Sequence, residues 1–242
     1  MRAFAIPFVR DSARVKNKGS IVLNKIVQEV DKYGYLGNRE IAAAHFCDNL
    51  RKAQRMTAQL VEAGRLVERR IGNSSRFCLP GQAALFDNVT GHRDASNAIL
   101  IDALVTGLAT GVITDRQIQL NQAAHTLNNK IPDGLLLDEY ESPDGHRVDY
   151  SWVEVENSER SGRDVHVLGD WLISTFAATR SWHVLPEYRR GYLAHVIVAI
   201  SAPAADKIEP RLLGYIQKEY TSPAHAEYIR AVLPQRLKFI RV

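Results

Sequence analysis

The chain has few cysteines and no long apolar run. Its two cysteines, Cys47 and Cys78, form no Cys-x-x-Cys pair, so neither a disulfide nor a zinc site is indicated and we expect buried thiols. No apolar run approaches the roughly 20 residues of a membrane span, and the first residues lack the apolar core of a signal peptide. These absences argue against secreted and membrane-inserted classes and predict a cytoplasmic protein without membrane insertion.

Charge is distributed unevenly along the 242 residues. Residues 1–90 carry 15 Lys and Arg against 8 Asp and Glu, a net charge of +7, whereas residues 91–242 carry 16 against 19, a net charge of −3. A basic segment is typical of proteins that bind a polyanion, and an acidic segment can hold a cation. We therefore predict two domains with different tasks, joined near residues 81–91.

The order of elements in residues 19–85 predicts a winged helix-turn-helix domain. An apolar stripe indicates a first helix over residues 20–34, and Asn38 and Asn49 are suitable N-caps for a second and a third helix. Residues 65–80 then read as a β-hairpin with a tip of Gly, Asn and Ser. The preceding residues 1–18 are interpreted as a flexible basic arm that follows phosphates, or equally as a disordered tail.

This first domain is predicted to bind DNA. In a winged helix the third helix enters the major groove and the hairpin contacts the backbone, and Arg and Gln are the side chains that read guanine and adenine edges. The alternatives are a solvated basic helix face and a winged helix that contacts proteins. The third helix offers Arg51, Lys52, Gln54, Arg55 and Gln59, and the hairpin offers Arg69, Arg70 and Arg76.

Three acidic residues are predicted to meet in the second domain. Residues 130–137 and 151–160 read as two strands joined through a Ser-Pro-Asp-Gly turn, so pairing them as a hairpin brings Asp133 close to Glu154 and Glu156. Because side chains alternate along a strand, the two glutamates share one face. Oxygen ligands of this kind suit divalent cations and phosphodiester chemistry. Alternating Val and Glu is, however, also typical of any half-exposed antiparallel strand.

The second domain resembles a known nuclease core. The order helix, Pro-Asp, strand, Glu-x-Glu, helix, strand over residues 91–242 resembles the PD-(D/E)xK core of restriction endonucleases, which implies an α/β sandwich with a mixed sheet. With the winged helix in front, and Asp-Gly followed by Val-Glu-Val-Glu-Asn-Ser-Glu-Arg, nearly the whole chain resembles the plasmid replication-relaxation family. It is most similar to MobC-type relaxases.

The resemblance implies roles for individual residues. Asp133 and Glu154 match the metal-binding acids, with the backbone carbonyl of Val155 as a further ligand. Glu156 falls where the nuclease superfamily has its Lys, and could orient or deprotonate the attacking group or bind metal. The cation of the relaxase-like branch falls on Arg160, which can neutralise phosphorane charge but is a poor general base.

The function implied is that of a Mg²⁺- or Mn²⁺-dependent endonuclease that nicks one strand of double-stranded DNA at a plasmid origin of transfer. Relaxosome accessory and coupling proteins are the implied protein partners. The sequence leaves open whether the nucleophile is water or a tyrosine. It also leaves two rival functions: a non-catalytic DNA-binding accessory protein or repressor, and a restriction-type hydrolase that cuts both strands.

Overall fold

The structure, a computed structural model, is mixed α/β. It forms two compact units, Met1–Ala83 and Ala84–Val242, and the division lies within the predicted junction at residues 81–91. Among the described residues, no helix has the length and apolar content needed to cross a membrane. The described residues are 12–83, 91–120, 130–156, 162–177, 191–219, 227, 231, 233 and 235–241.

The first unit combines three helices with a small antiparallel sheet. Strand β1 lies between the first two helices and pairs with β3, which pairs in turn with β2. Buried Ile26, Val30, Ile41 and Leu60 from the three helices belong to its core. The elements are α1 (Ser12–Tyr33), β1 (Leu36–Gly37), α2 (Asn38–Phe46), α3 (Leu50–Glu62), β2 (Val67–Ile71) and β3 (Ser74–Cys78).

Helix α1 begins earlier than the sequence analysis expected. Residues 12–18, assigned there to a flexible arm, form its first turns, and residues 1–11 lie outside the described part of the chain. The reason is local, since this stretch contains no proline and its Ala, Arg and Lys residues favour a helix. The single Gly19 is accommodated inside the helix at a modest cost.

The N-caps were predicted correctly for α3 and wrongly for α2. The Asn49 side chain accepts a hydrogen bond from the Lys52 backbone N–H at 3.0 Å and caps α3. Helix α2 is capped instead by Gly37, whose N–H donates to Glu40 Oε2 at 3.0 Å. The carboxylate of Glu40, in the first turn of α2, thus acts as the capping group in place of the Asn38 side chain.

The two cysteines differ in exposure. Cys78 is buried, as expected, but Cys47 is exposed. Cys47 follows the last residue of α2 in the left-handed region, with φ of 47°, and this turn carries its side chain away from the core. The expectation that both thiols are buried was therefore wrong for Cys47.

The second unit is built on a mixed five-stranded sheet in the order β4-β5-β6-β7-β8. Strands β4, β5 and β6 run antiparallel, whereas β6, β7 and β8 are parallel. The short elements β4 and α5 were not predicted. The elements are α4 (Gly91–Val105), β4 (Gly111–Thr114), α5 (Asp115–Leu120), β5 (Gly134–Ser142), β6 (Gly145–Glu156), α6 (Gly162–Ala177), β7 (Gly191–Ile200), α7 (Ala202–Glu219) and β8 (Leu237–Arg241).

The β5–β6 hairpin fixes where the predicted acids lie. The strands are joined by a two-residue turn after Ser142, and Gly145 has φ of 106°, a conformation that glycine adopts without strain. From this turn the pairing runs without interruption to Gly134 opposite Val153. Asp133 is therefore next to the end of β6 that carries Glu154.

Strand β6 is buried on both faces at this end. Residues Trp152 to Glu156 are all buried, so the half-exposed strand that alternating Val and Glu suggested is not what forms. Trp152 belongs to the core formed by the sheet with α6 and α7, and Glu154 and Glu156 alternate onto the same side. The glutamates therefore lie inside the protein, at the edge of an apolar core.

Candidate functional site

Asp133 is held by the backbone of β6 at two points. Its N–H donates to Val153 O at 3.0 Å, and its Oδ2 accepts from the Val155 N–H at 2.8 Å. The carboxylate is thereby fixed beside Glu154, whose backbone lies between these two contacts. Val155, expected to contribute its carbonyl to a metal, contacts Asp133 through its N–H.

Glu154 is a buried carboxylate with two side-chain donors. It is 4% exposed, and Lys130 Nζ donates to its Oε1 at 2.6 Å. Trp152 Nε1 donates more weakly to Oε2 at 3.4 Å. Burial raises the pKa of Glu154, and the charge of Asp133 adds to this effect while Lys130 opposes it. The surroundings thus hold the pKa of this carboxyl above its ordinary value.

Lys130 is a contact of Glu154 that sequence reasoning missed. Its side chain is 21% exposed, and its Nζ lies 6.0 Å from the centre of the Trp171 ring, which itself lies 4.7 Å from the Trp152 ring. The available signal was its position directly before the Ile-Pro-Asp segment that carries Asp133. The structure thereby places a cation at the acidic residues without using the strand position at which the nuclease superfamily has its Lys.

Of the other two predicted site residues, the structure describes Glu156 but not Arg160. Glu156 is 0% exposed, follows Glu154 on the same side of β6, and ends the strand where its carbonyl accepts the Ser201 N–H at 3.0 Å. Arg160 lies outside the described residues. We call Asp133, Glu154 and Glu156 the acidic centre.

Helix α4 closes the centre on the side of Asp133. Ser96 Oγ donates to the Asp133 carbonyl at 2.6 Å, and His92 Nδ1 lies 4.0 Å from Asp133 Oδ2. Glycine at position 134 permits this close approach, because a Cβ there would lie 3.0 Å from Ser96 Oγ and from Leu100 Cδ1 and these side chains would have to shift. His92 is thus a second neighbour of Asp133 that strand periodicity could not reveal.

The side-chain oxygens of this centre meet part of the ligand requirement of a hard divalent cation. Mg²⁺ is commonly bound by one or two carboxylates together with phosphate oxygens and water, and Asp133 and Glu154 supply two adjacent carboxylates. Within the described ranges no group of three or more His, Cys, Asp or Glu side chains is arranged to hold a metal.

In the first unit, α3 has one buried and one polar face. Ala53, Thr57 and Leu60 are buried on one side, and the five polar residues of the opposite side are exposed. On the hairpin, Arg69 and Arg76 are cross-strand partners. We call the exposed set the basic face of α3: Arg51, Lys52, Gln54, Arg55 and Gln59.

No family model, curated protein or solved structure matches this chain. The basis for a function is therefore the chemistry of the acidic centre and of the basic face of α3. The first consists of fixed carboxylates beside an ammonium group, and the second of exposed cations and amides on one helix.

Proposed function

We propose that the protein is a metal-dependent endonuclease that nicks one strand of DNA at a plasmid origin of transfer, as the resemblance to MobC-type relaxases implies. The observation that carries the proposal is the acidic pair: Asp133, fixed by the Val155 N–H at 2.8 Å, beside the buried Glu154. A carboxylate that the backbone holds in this way, as it holds Asp133, needs little reorganisation when substrate binds, which favours catalysis.

The proposed metal ligands are Asp133 and Glu154, with Val155 as the third ligand implied by the resemblance. Bound Mg²⁺ or Mn²⁺ would supply Lewis acidity toward a phosphoryl oxygen and a more acidic attacking group. Residues of the chain hold and orient these two acids. The Val155 N–H fixes one Asp133 oxygen, and Ser96 fixes the Asp133 backbone. Trp152 restrains Glu154. Neighbouring apolar side chains limit access of water to Glu154.

We further propose that the first unit is a winged helix that recognises double-stranded DNA. The order α1-β1-α2-α3-β2-β3, with β1 added to the hairpin, supports this assignment. The basic face of α3 would enter the major groove, while Arg69, Arg70 and Arg76 of the hairpin would contact phosphates. The net charge of +7 over residues 1–90 agrees with an anionic partner.

One observation favours a second candidate, a non-catalytic DNA-binding protein such as a repressor or relaxosome accessory factor. Lys130 occupies one oxygen of Glu154 at 2.6 Å, so the ion pair could serve only to stabilise a buried carboxylate. In that case the second unit would act in contacts with other proteins rather than in DNA cleavage.

The two functions are separated by nicking of a supercoiled plasmid that carries the transfer origin, in Mg²⁺ or Mn²⁺. We expect open circles from the wild type, and at least a ~100-fold slower reaction for Asp133→Asn and Glu154→Gln, because each removes a ligand charge at the reacting phosphate. All proteins should still shift the DNA in a gel. Glu141→Gln, which changes an exposed acid of the same hairpin, is the matched control.

The products distinguish the remaining possibilities. Linear DNA would indicate a hydrolase that cuts both strands, and a protein–DNA adduct stable in detergent would identify a tyrosine nucleophile. Binding without nicking at any metal concentration would reject the endonuclease in favour of the non-catalytic protein.

A further inference from the structure

The acidic centre brings negative charge to a place where a DNA phosphate would have to bind. Asp133 and Glu154 are adjacent, and Glu156 lies two positions farther along the same strand face. The charge of Asp133 disfavours the ionised form of the buried Glu154, and a phosphodiester gains further negative charge during reaction. A cationic side chain at the centre would offset this charge in addition to any metal ion.

Lys130 supplies such a charge at the right place. Its Nζ contacts Glu154 Oε1 at 2.6 Å, and its side chain remains 21% exposed, so the ammonium group is both attached to the centre and accessible. Its ammonium also faces Trp171 at 6.0 Å, which restricts where the flexible chain can go. Arg93, on helix α4, is by contrast paired with Asp115 at 2.6 Å.

We infer that Lys130 is the positioning cation of the centre: it orients Glu154 and offsets negative charge there. This inference rests on the proposed nuclease function. It has a second consequence, because an ammonium on Glu154 Oε1 competes with a metal ion for the same carboxylate. Removing the charge should therefore strengthen metal binding and weaken chemistry, whereas damage to the structure would weaken both.

The test compares Lys130→Gln, which keeps a hydrogen-bond donor without the charge, with Lys130→Arg, which keeps the charge. Lys218→Gln, at an exposed lysine of α7, is the control. Mn²⁺ affinity is measured by calorimetry without DNA, and nicking is measured on supercoiled plasmid. For Lys130→Gln we expect about tenfold tighter Mn²⁺ binding and about 100-fold slower nicking. Lys130→Arg should retain most of both wild-type values.

The outcomes separate this inference from the proposed function. Unchanged or weaker Mn²⁺ binding by Lys130→Gln, or unchanged nicking, would overturn the role of Lys130. If the wild type binds Mn²⁺ but does not nick, the nuclease proposal fails and the Mn²⁺ affinities alone decide whether Lys130 opposes the metal. If the wild type neither binds Mn²⁺ nor nicks in its presence, both are rejected. Lys130→Met replaces the Gln variant if circular dichroism reports that the latter is unfolded.

Discussion

At the scale of single residues, burial decides which side chains can carry charge. Glu154 is almost wholly inside the protein, and its ionised form depends on what surrounds it: Lys130 lowers its pKa while burial and Asp133 raise it. In this setting the ionised form of Glu154 depends on a cationic partner, which in the structure is Lys130. This property, more than the mere presence of acidic residues, makes the position a candidate for chemistry.

A second titratable side chain, His45 at the end of α2, gives a prediction for the first unit. Burial lowers the pKa of His45, Glu29 opposes this and Lys25 adds to it. The folded state thus binds a proton less readily than the unfolded chain, so its stability is full above the ordinary imidazole pKa. The stability of the first unit falls as the pH drops from the ordinary imidazole pKa toward the lower pKa that His45 has in the folded state.

We therefore expect faster hydrogen exchange in α1 and α2 when the pH is lowered from about 7.5 to about 5, after correction for the intrinsic exchange rate. His45→Gln should remove most of this loss, because its side chain does not titrate. An equal loss in wild type and variant would show that other groups control the pH dependence of this unit.

Residue-level prediction worked where chemistry follows from local pattern. Asp133 precedes a strand, Glu154 and Glu156 alternate along another, and the structure places Asp133 against the end of that strand. The position of Lys130 before Asp133 did not predict its contact with Glu154, because that contact depends on the path of Ile131 and Pro132 and on the burial of Glu154.

At the scale of elements, the approach of α4 to the start of β5 determines the shape of the centre. Ser96 bonds the backbone of Asp133, and Gly134 leaves no side chain between the helix and the strand. The helix therefore holds the Asp133 carbonyl, while β6 holds its N–H and its carboxylate. A small displacement of α4 would move Asp133 relative to Glu154.

Gly134→Ala tests this close approach. The added Cβ would lie 3.0 Å from both Ser96 Oγ and Leu100 Cδ1, closer than ordinary van der Waals contact. We expect a loss of about 1–3 kcal/mol in the free energy of unfolding, as for other overpacked positions, together with slower nicking. Urea unfolding followed by tryptophan fluorescence measures the first, since all three tryptophans lie in the second unit.

The matched control is Gly111→Ala in β4, where the added Cβ would meet Leu137 at an ordinary 3.5 Å. We expect this variant to unfold like the wild type. Equal stability of both variants and the wild type would mean that α4 can retreat without cost, and the close approach would then have no part in holding Asp133.

Element prediction succeeded for segments with a strong period and failed for short ones. The hairpin of β5 and β6 and the helices α3 and α6 follow from alternation, apolar stripes and turn residues. Strand β4 has four residues and α5 six, too few for a pattern to rise above its surroundings. Leu108 lies beyond the end of α4 and is 75% exposed.

At the scale of the whole molecule, charge is divided between the units as their proposed tasks require. The segment with net +7 contains the basic face of α3, and the segment with net −3 contains the acidic centre. Mixed architecture and the two-unit division could be anticipated from the sequence, because composition and the order of elements change near residue 85. The contacts inside each unit could not, since they join residues far apart in the chain.

This division of charge predicts that the first unit makes both base-specific and phosphate contacts with DNA. Arg55→Ala, on the exposed face of α3, should cost about 1–3 kcal/mol at the cognate site and little on random DNA. Arg70→Ala, on the hairpin, should weaken binding to both and lower the slope of log affinity against log salt by about one. Gel shifts or anisotropy at several salt concentrations measure both effects.

Lys218→Ala, in α7 of the second unit, serves as the charge control for both variants and should leave both measurements close to wild type. Unchanged affinity of Arg55→Ala and Arg70→Ala for both DNAs at low salt would remove the assignment of the first unit to DNA binding.

The turn of the long β5–β6 hairpin is also a suitable position for a label. One end of it holds the acidic centre, while the other ends in the exposed pair Pro143 and Asp144. The eight residue steps from Gly134 to Ser142 separate the two ends by about 27 Å at the usual rise of a strand. Exposed turns of this kind tolerate insertions. A fluorophore or epitope placed there would report on the protein from a site remote from Glu154.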